Sequence, residues 1–204
     1  MIDRTLGRCI IIAKVVLRIW RGMMKWNISF EEMEALKLEA KTAAKDVLDA
    51  CWSSGELPID PLRIAEKMGL QVKPVTAKSN VAGGLLKKEN SPPIIFFNED
   101  DAVSRRRFTI AHELGHYYRH FTEQHEFEYM DYRDQMSSTG SDPEEIFANQ
   151  FAANLLMPEN HVKTQFNALE GSVSPKVKSL HLANTFAVSV DAMSIRLNTI
   201  GFVQ

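Results

Sequence analysis

The stretch Arg107-Phe108-Thr109-Ile110-Ala111-His112-Glu113-Leu114-Gly115-His116 decides how this chain is to be read. It lies in a segment, Ala102 to Phe121, whose pattern is helical throughout. A spacing of four puts His112 and His116 on one face, a turn apart, where both imidazoles can reach the same ion. Glu113 is rotated from them by about 100° and can hold an attacking water. This is the HExxH arrangement of zinc hydrolases: the ion acts as a Lewis acid and the adjacent carboxylate takes the proton. The composition makes an accidental match rare, roughly 0.014 occurrences in a chain of this length before any helix is required. The bland alternative is an ordinary helix with two core or surface histidines.

Two histidines do not complete such a site, because catalytic zinc takes three protein ligands and keeps one position open. A metzincin pattern would need a histidine where Thr122 stands and a glycine where Arg119 stands. His120 continues the same helix and sits too far along its axis, so it reads as a helix-end histidine. The other established solution is a glutamate on a separate helix. The next one begins Asp142-Pro143-Glu144-Glu145-Ile146-Phe147-Ala148-Asn149. Glu145 and Asn149 share a face, so Glu145 can bind the ion while Asn149 hydrogen-bonds a ligand from outside; Glu144 points elsewhere. A second reading of Glu145 stands beside this one. With Asp142 as N-cap it occupies N3, where a glutamate closes a capping box.

Outward from these helices, Ser29 and Glu32 form a capping box. Met33, Leu36, Leu38, Ala40, Ala43, Val47 and Leu48 then make the apolar stripe of a helix ending at Ser53-Ser54-Gly55. Asp60-Pro61 starts a short helix that Gly69 closes. Three strands are expected, Gln71 to Val75, Val81 to Lys87 and Pro93 to Asn98, as a small antiparallel meander with an open edge. Thr122 to Ser141 reads as a loop or lid. The helix from Asp142-Pro143 must stop by Met157 because Pro158 follows, and its stripe Phe147, Phe151, Leu155 and Met157 reads as core. Pro158 to Leu169, Pro175 to Ala187 and Val190 to Ile200 complete a helical C-terminal part. The last of these is capped by Ser189 and closed by Gly201.

Length and charge bound the function. The chain has 204 residues, enough for one ordinary domain with a real core. A net charge of −2 supplies no overall field toward nucleic acid or anionic lipid. Cys9 and Cys51 form neither a CxxC pair nor a disulfide framework, which fits a reducing, cytoplasmic setting. Residues 1–25 differ from the rest: six basic side chains face the single acid Asp3, and Lys14 and Arg18 interrupt the apolar run Cys9 to Trp20. That run is too short and too charged for a membrane span or a signal peptide. Three readings of the arm stay open: an amphipathic helix on a membrane or partner surface, a packing helix, or sequence upstream of a start at Met23 or Met24.

The two helical motifs together, Arg107 to His116 and Glu145 to Pro158, resemble the paired signatures of the ImmA/IrrE family of metallo-endopeptidases. Pro58 to Leu70, Ala82 to Leu85, Pro93 to Asn98, Phe186 to Ser189 and Ala192 to Leu197 extend the likeness over roughly residues 29–203. Many relatives carry a second glutamate where this chain has Phe147. The resemblance implies one zinc ion held by His112, His116 and Glu145, with Glu113 as general base. It also implies an intracellular endopeptidase whose substrate is a protein, often a helix-turn-helix repressor. Manganese or iron are the other ions considered. The expected architecture is α+β: a mostly helical zinc-peptidase-like domain over residues 26–170 with a three-stranded antiparallel sheet, and a helix-turn-helix-like segment over 171–204 packed on it.

Three questions of substrate handling follow. An exposed edge, Val81 to Lys87 or Pro93 to Asn98, is the expected seat of an extended substrate. Tyr117, Tyr118, Tyr129, Tyr132, His125, His161 and His181 are all candidates for stabilising an oxyanion. The run Arg105, Arg106 and Arg107 reads either as a phosphate contact or as a solvated face. Val190 to Ile200 holds one Arg and one Asp, so direct nucleic acid binding is not expected. A different function class is a regulatory protein-binding module that keeps the metal site for structure and cleaves nothing.

Overall fold

The computed structural model describes residues 28–76, 81–88, 90–120, 127–132, 142–169 and 174–202, and for 127–132 the backbone alone. The N-terminal arm therefore lies outside the described residues, as do 122–126 and 133–141 of the expected loop.

Helix α1 (Phe30–Cys51) opens with the expected capping box: Ser29 accepts from the Glu32 N–H and the Glu32 carboxylate accepts from the Ser29 N–H. It buries Leu36, Ala40, Ala43, Ala44 and Val47 against a later helix, and the three alanines permit a close approach. Leu38, counted in the stripe from sequence, is instead 65% exposed. The short helix α2 (Pro61–Lys67) is capped by Asp60, and Gly69 turns the chain in a left-handed conformation with φ of 84°.

Strands β1 (Gln71–Val75), β2 (Val81–Lys87) and β3 (Ile94–Asn98) follow where sequence places them, but not as an antiparallel meander. A fourth strand, β4 (Phe127–Tyr132), joins them in the order β1-β3-β2-β4. β2 is antiparallel to both β3 and β4, while β1 lies parallel to β3, with Gln71 opposite Ile94 and Val75 opposite Asn98. The sheet is thus four-stranded and mixed. The segment Val81–Leu85 is wholly buried and Ile95 is 0% exposed, which demands neighbours on both sides of β2 and β3. Neither is an edge, contrary to expectation. The edges among the described residues are β1 and β4, and residues 127–132, expected as loop, are strand.

Helix α3 (Val103–His120) lies against β2 and β3 on one side and against helix α4 (Pro143–Leu156) on the other. α4 is apolar nearly all round: Ile146, Phe147, Ala148, Phe151, Ala152, Leu155 and Leu156 are all buried. Such a helix belongs at the centre, and it is packed between α1 and α3. α5 (Glu159–Ala168), α6 (Pro175–Phe186) and α7 (Val190–Thr199) complete the fold. Leu182, Phe186, Met193 and Leu197 of the last pair join the same core as the earlier helices. The architecture is α+β and mostly helical, as expected. No described helix is long and apolar enough to cross a membrane.

Candidate metal centre

Each donor is aimed by a helix fixed on both sides. His112, Glu113 and His116 project from the buried middle of α3, where they are 0%, 0% and 1% exposed. Glu145 sits in the first turn of α4, which Asp142 caps by accepting from the Glu144 N–H. The Glu145 carboxylate is turned toward the two histidines, 3.4 Å from His112 Nε2 and 3.3 Å from His116 Nε2. The two Nε2 atoms lie 3.0 Å apart. Asn149, one turn along α4, places Oδ1 3.1 Å from His112 Nδ1.

These contacts bear directly on an ion. With Asn149 Oδ1 as acceptor, His112 carries its proton on Nδ1 and turns the Nε2 lone pair toward His116 and Glu145. Electron-pair donors then converge on one point in a buried place, an arrangement that a cation relieves. A tetrahedral zinc with bonds of about 2.0–2.1 Å sets its donors about 3.3 Å apart. The observed separations of 3.0, 3.3 and 3.4 Å match that edge, so these three residues fit a metal ion. With protons on the two Nε2 atoms in place of an ion, burial works against ionising Glu145, but the hydrogen bonds and charge of His112 and His116 prevail and hold its carboxyl well below the usual range.

Two glycines set the depth of the site. A Cβ on Gly83 of β2 would fall 2.3 Å from Thr109 Cγ2, 2.7 Å from the Phe96 carbonyl oxygen and 3.6 Å from Glu113 Oε1, so only glycine lets β2 pass this close to the acid. A Cβ on Gly115 would stand 3.0 Å from Ala148 Cα and 3.2 Å from two atoms of Phe151. Gly115 is therefore the point at which α3 and α4 touch backbone to backbone. That contact brings the His-bearing helix to the helix carrying Glu145.

The neighbouring polar groups sort themselves out. Glu144 meets His120 Nε2 at 3.0 Å and Arg119 Nε at 3.5 Å; burial raises its carboxyl, and these two partners, with the charge interaction of His116, more than reverse the shift. Phe147, Phe151, Leu155 and Met157 are core, as read from sequence. Arg107 is neither a phosphate contact nor a solvated face: its Nε donates to the Ala187 carbonyl at 3.0 Å and its guanidinium also reaches the Ile59 carbonyl. Arg196 donates to the Met157 carbonyl at 3.0 Å and to Asn154 Oδ1 at 2.8 Å. Neither clamp is announced by sequence, since Arg107 is aimed wholly and Arg196 partly at main-chain oxygens. Among the oxyanion candidates, Tyr118 packs on Phe151, His181 is exposed on α6, and Tyr117 is buried with its hydroxyl pushed up by that burial. The side chains of His125, Tyr129 and Tyr132 lie outside the described residues.

Two buried histidines and a partly exposed glutamate on packed helices, beside a second, buried glutamate, define the class of metallopeptidase-like helical sites. Residues 65–198 match the peptidase family described as the IrrE N-terminal-like domain, and the chain belongs to that family. No curated protein sequence matches it.

Proposed function

We propose that the chain is a zinc-dependent endopeptidase of the cytoplasm whose substrate is a protein, a helix-turn-helix repressor. The observation that carries the reading is the convergence of His112, His116 and Glu145 beside the buried carboxylate of Glu113. In this reading those three hold the ion, and Asn149 fixes the tautomer of His112. The ion, when bound, supplies Lewis acidity that polarises the scissile carbonyl and lowers the pKa of water toward about 7. Glu113 takes a proton from the attacking water as its oxygen joins the carbonyl carbon. The same carboxylic acid then delivers a proton to the amide nitrogen as the C–N bond breaks, which regenerates the carboxylate. Burial keeps that proton away from bulk solvent. The substrate lies extended along the outer edge of β4, one strand away from Gly83 and hence from Glu113.

The repressor reading draws on the likeness to ImmA/IrrE proteins, and any small helix-turn-helix protein found encoded beside this chain is the substrate to try first. Co-expressed with it, or mixed as purified zinc-loaded protein, the wild type should cut it and a chelator should stop the reaction. Glu113→Gln should keep full zinc content and lose cleavage by about 10²–10⁴-fold. Undiminished cleavage by this variant refutes Glu113 as base. A zinc-replete wild type that binds the repressor and never cuts it favours the non-proteolytic module. Manganese and iron are separated from zinc by elemental analysis and by reloading the apo-protein with each.

A further inference from the structure

A cleft of about 690 Å³ opens between α3, α4 and α7, one helical turn from the candidate metal centre. Asn149, which holds His112, forms part of its wall. Phe108 forms another part, with its ring 6.2 Å from that of His112. The interior is apolar through Phe108, Ala153, Met157, Ala192 and Ile195, while Arg105 and Asp191 stand among its polar lining. Its size falls in the range of sites that receive ligands.

Two observations say that this cleft is built rather than left over. First, its walls are pinned. Arg107 of α3 donates to the carbonyl of Ala187 at the α6–α7 turn, and Arg196 of α7 is tied to Met157 and Asn154 at the end of α4. Each wall is thus bonded to another by a guanidinium, so the space does not depend on a ligand to hold it open. Second, Ile195 is 66% exposed although it lies in the middle of α7, whose Met193 and Leu197 are fully buried. The core takes the 193 and 197 face, and residues 192, 195 and 199 turn to the cleft. Ile195 is thus left out of the core and forms part of the cleft's lining.

We propose that this three-helix cleft receives an apolar side chain of the polypeptide, at the residue adjoining the bond that is cut, and that Phe108, Ala153 and Ile195 set the specificity of cleavage. The proposal rests on the endopeptidase reading above. Its occupant follows from position: a chain held for attack beside His112 and Glu113 must project a neighbouring side chain somewhere, and the cleft reached past Asn149 and Phe108, both next to His112, is lined to take an aliphatic or aromatic one.

The test uses zinc-loaded full-length protein and a mixture of random-sequence peptides, with cleavage sites read by mass spectrometry. The wild type should favour Leu, Ile, Met or Phe over Ala at one position next to the bond. Ala153→Leu, which fills the floor, should lower the ratio of leucine to alanine at that position about tenfold. Ile195→Gln, at an exposed position where folding is not at stake, should lower it several-fold at unchanged zinc content. Leu38→Gln, on the far helix α1, should leave the ratio alone. In the Glu113→Gln background, binding of the preferred peptide should weaken in step when Ile195→Gln is added. A zinc-loaded wild type that cuts no peptide and no protein refutes the endopeptidase reading and this inference with it. Cleavage whose side-chain preference is untouched by both cleft variants refutes this inference alone.

Discussion

Replacing Gly115 by alanine separates the stability of this fold from the spacing of its candidate metal donors. The added methyl would stand 3.0 Å from Ala148 Cα and 3.2 Å from Phe151 Cβ and Cδ1, where carbon atoms prefer about 3.5–4.0 Å. Restoring that contact needs α3 and α4 to part by about 0.5 Å. His116 is the next residue on α3, and Glu145 lies three residues before Ala148 on α4, so the parting falls directly on the site. The His–Glu145 separations of 3.3 and 3.4 Å would open to about 3.8 Å, beyond the edge that bonds of about 2.0–2.1 Å can span without strain. Stability responds differently, because two effects oppose each other. Alanine in a helix interior gains about 1 kcal/mol over glycine, and overpacking costs about 1–3 kcal/mol. We expect a net loss of about 0–2 kcal/mol in urea unfolding of the apo-protein, together with zinc binding weakened about tenfold or more in competition with a chromogenic chelator. Gly69→Ala is the control. It strains a positive φ far along the chain and should lower stability by about 1 kcal/mol without touching affinity. A folded Gly115→Ala protein that binds zinc as tightly as the wild type refutes the claim that this helix contact sets the donor spacing.

Two further outcomes follow from the same geometry. Asn149→Ala removes the acceptor at 3.1 Å from His112 Nδ1 and should weaken zinc binding by about 10–100-fold; an unchanged affinity shows that the tautomer is fixed by something else. Glu159 bridges Lys163 on its own helix and Lys41 on α1, and these hydrogen bonds bring its carboxyl down from 4.5 to about 2. Because the folded-state value is the lower one, the stabilisation is present above the ordinary carboxylate range and is lost as pH falls through the folded value. Glu159→Gln should therefore cost about 0.5–1 kcal/mol at neutral pH, screened by salt, with the gap narrowing between pH 4.5 and 2 in urea titrations; a gap independent of pH contradicts the bridge.

The helices were legible because local chemistry specifies them: Ser29 with Glu32, Asp60-Pro61, Asp142-Pro143 and Ser189 each mark a start that the structure keeps. The strands were legible too, but their order was not. Pairing is a long-range choice, and nothing in Gln71–Val75 says that its partner is β3, in parallel, rather than the adjacent β2. The same limit hid β4. Phe127–Tyr132 is bounded by polar, acidic residues and reads as loop until β2 supplies the other half of its ladder.

Site and scaffold differ in what sequence discloses, and the reason is chemical. A divalent ion accepts only a few side-chain types, so His112 and His116 stand out by identity and by helical spacing before any coordinate is known, whereas Glu145 can equally be read from sequence as a capping residue. Three of the four partners of Arg107 and Arg196 are the carbonyls of Ala187, Ile59 and Met157, a group that every residue carries and that no pattern can flag; the fourth is the side chain of Asn154. Gly115 is a middle case. It stands inside the HExxH frame at a position the chemistry leaves open, yet its missing side chain is what admits Ala148 and Phe151. Donor identity can thus be read from one helix, whereas donor spacing belongs to the crossing of two. A chain that kept both histidines and both glutamates but lost the glycine would still display the motif while holding its candidate donors farther apart and its ion more weakly.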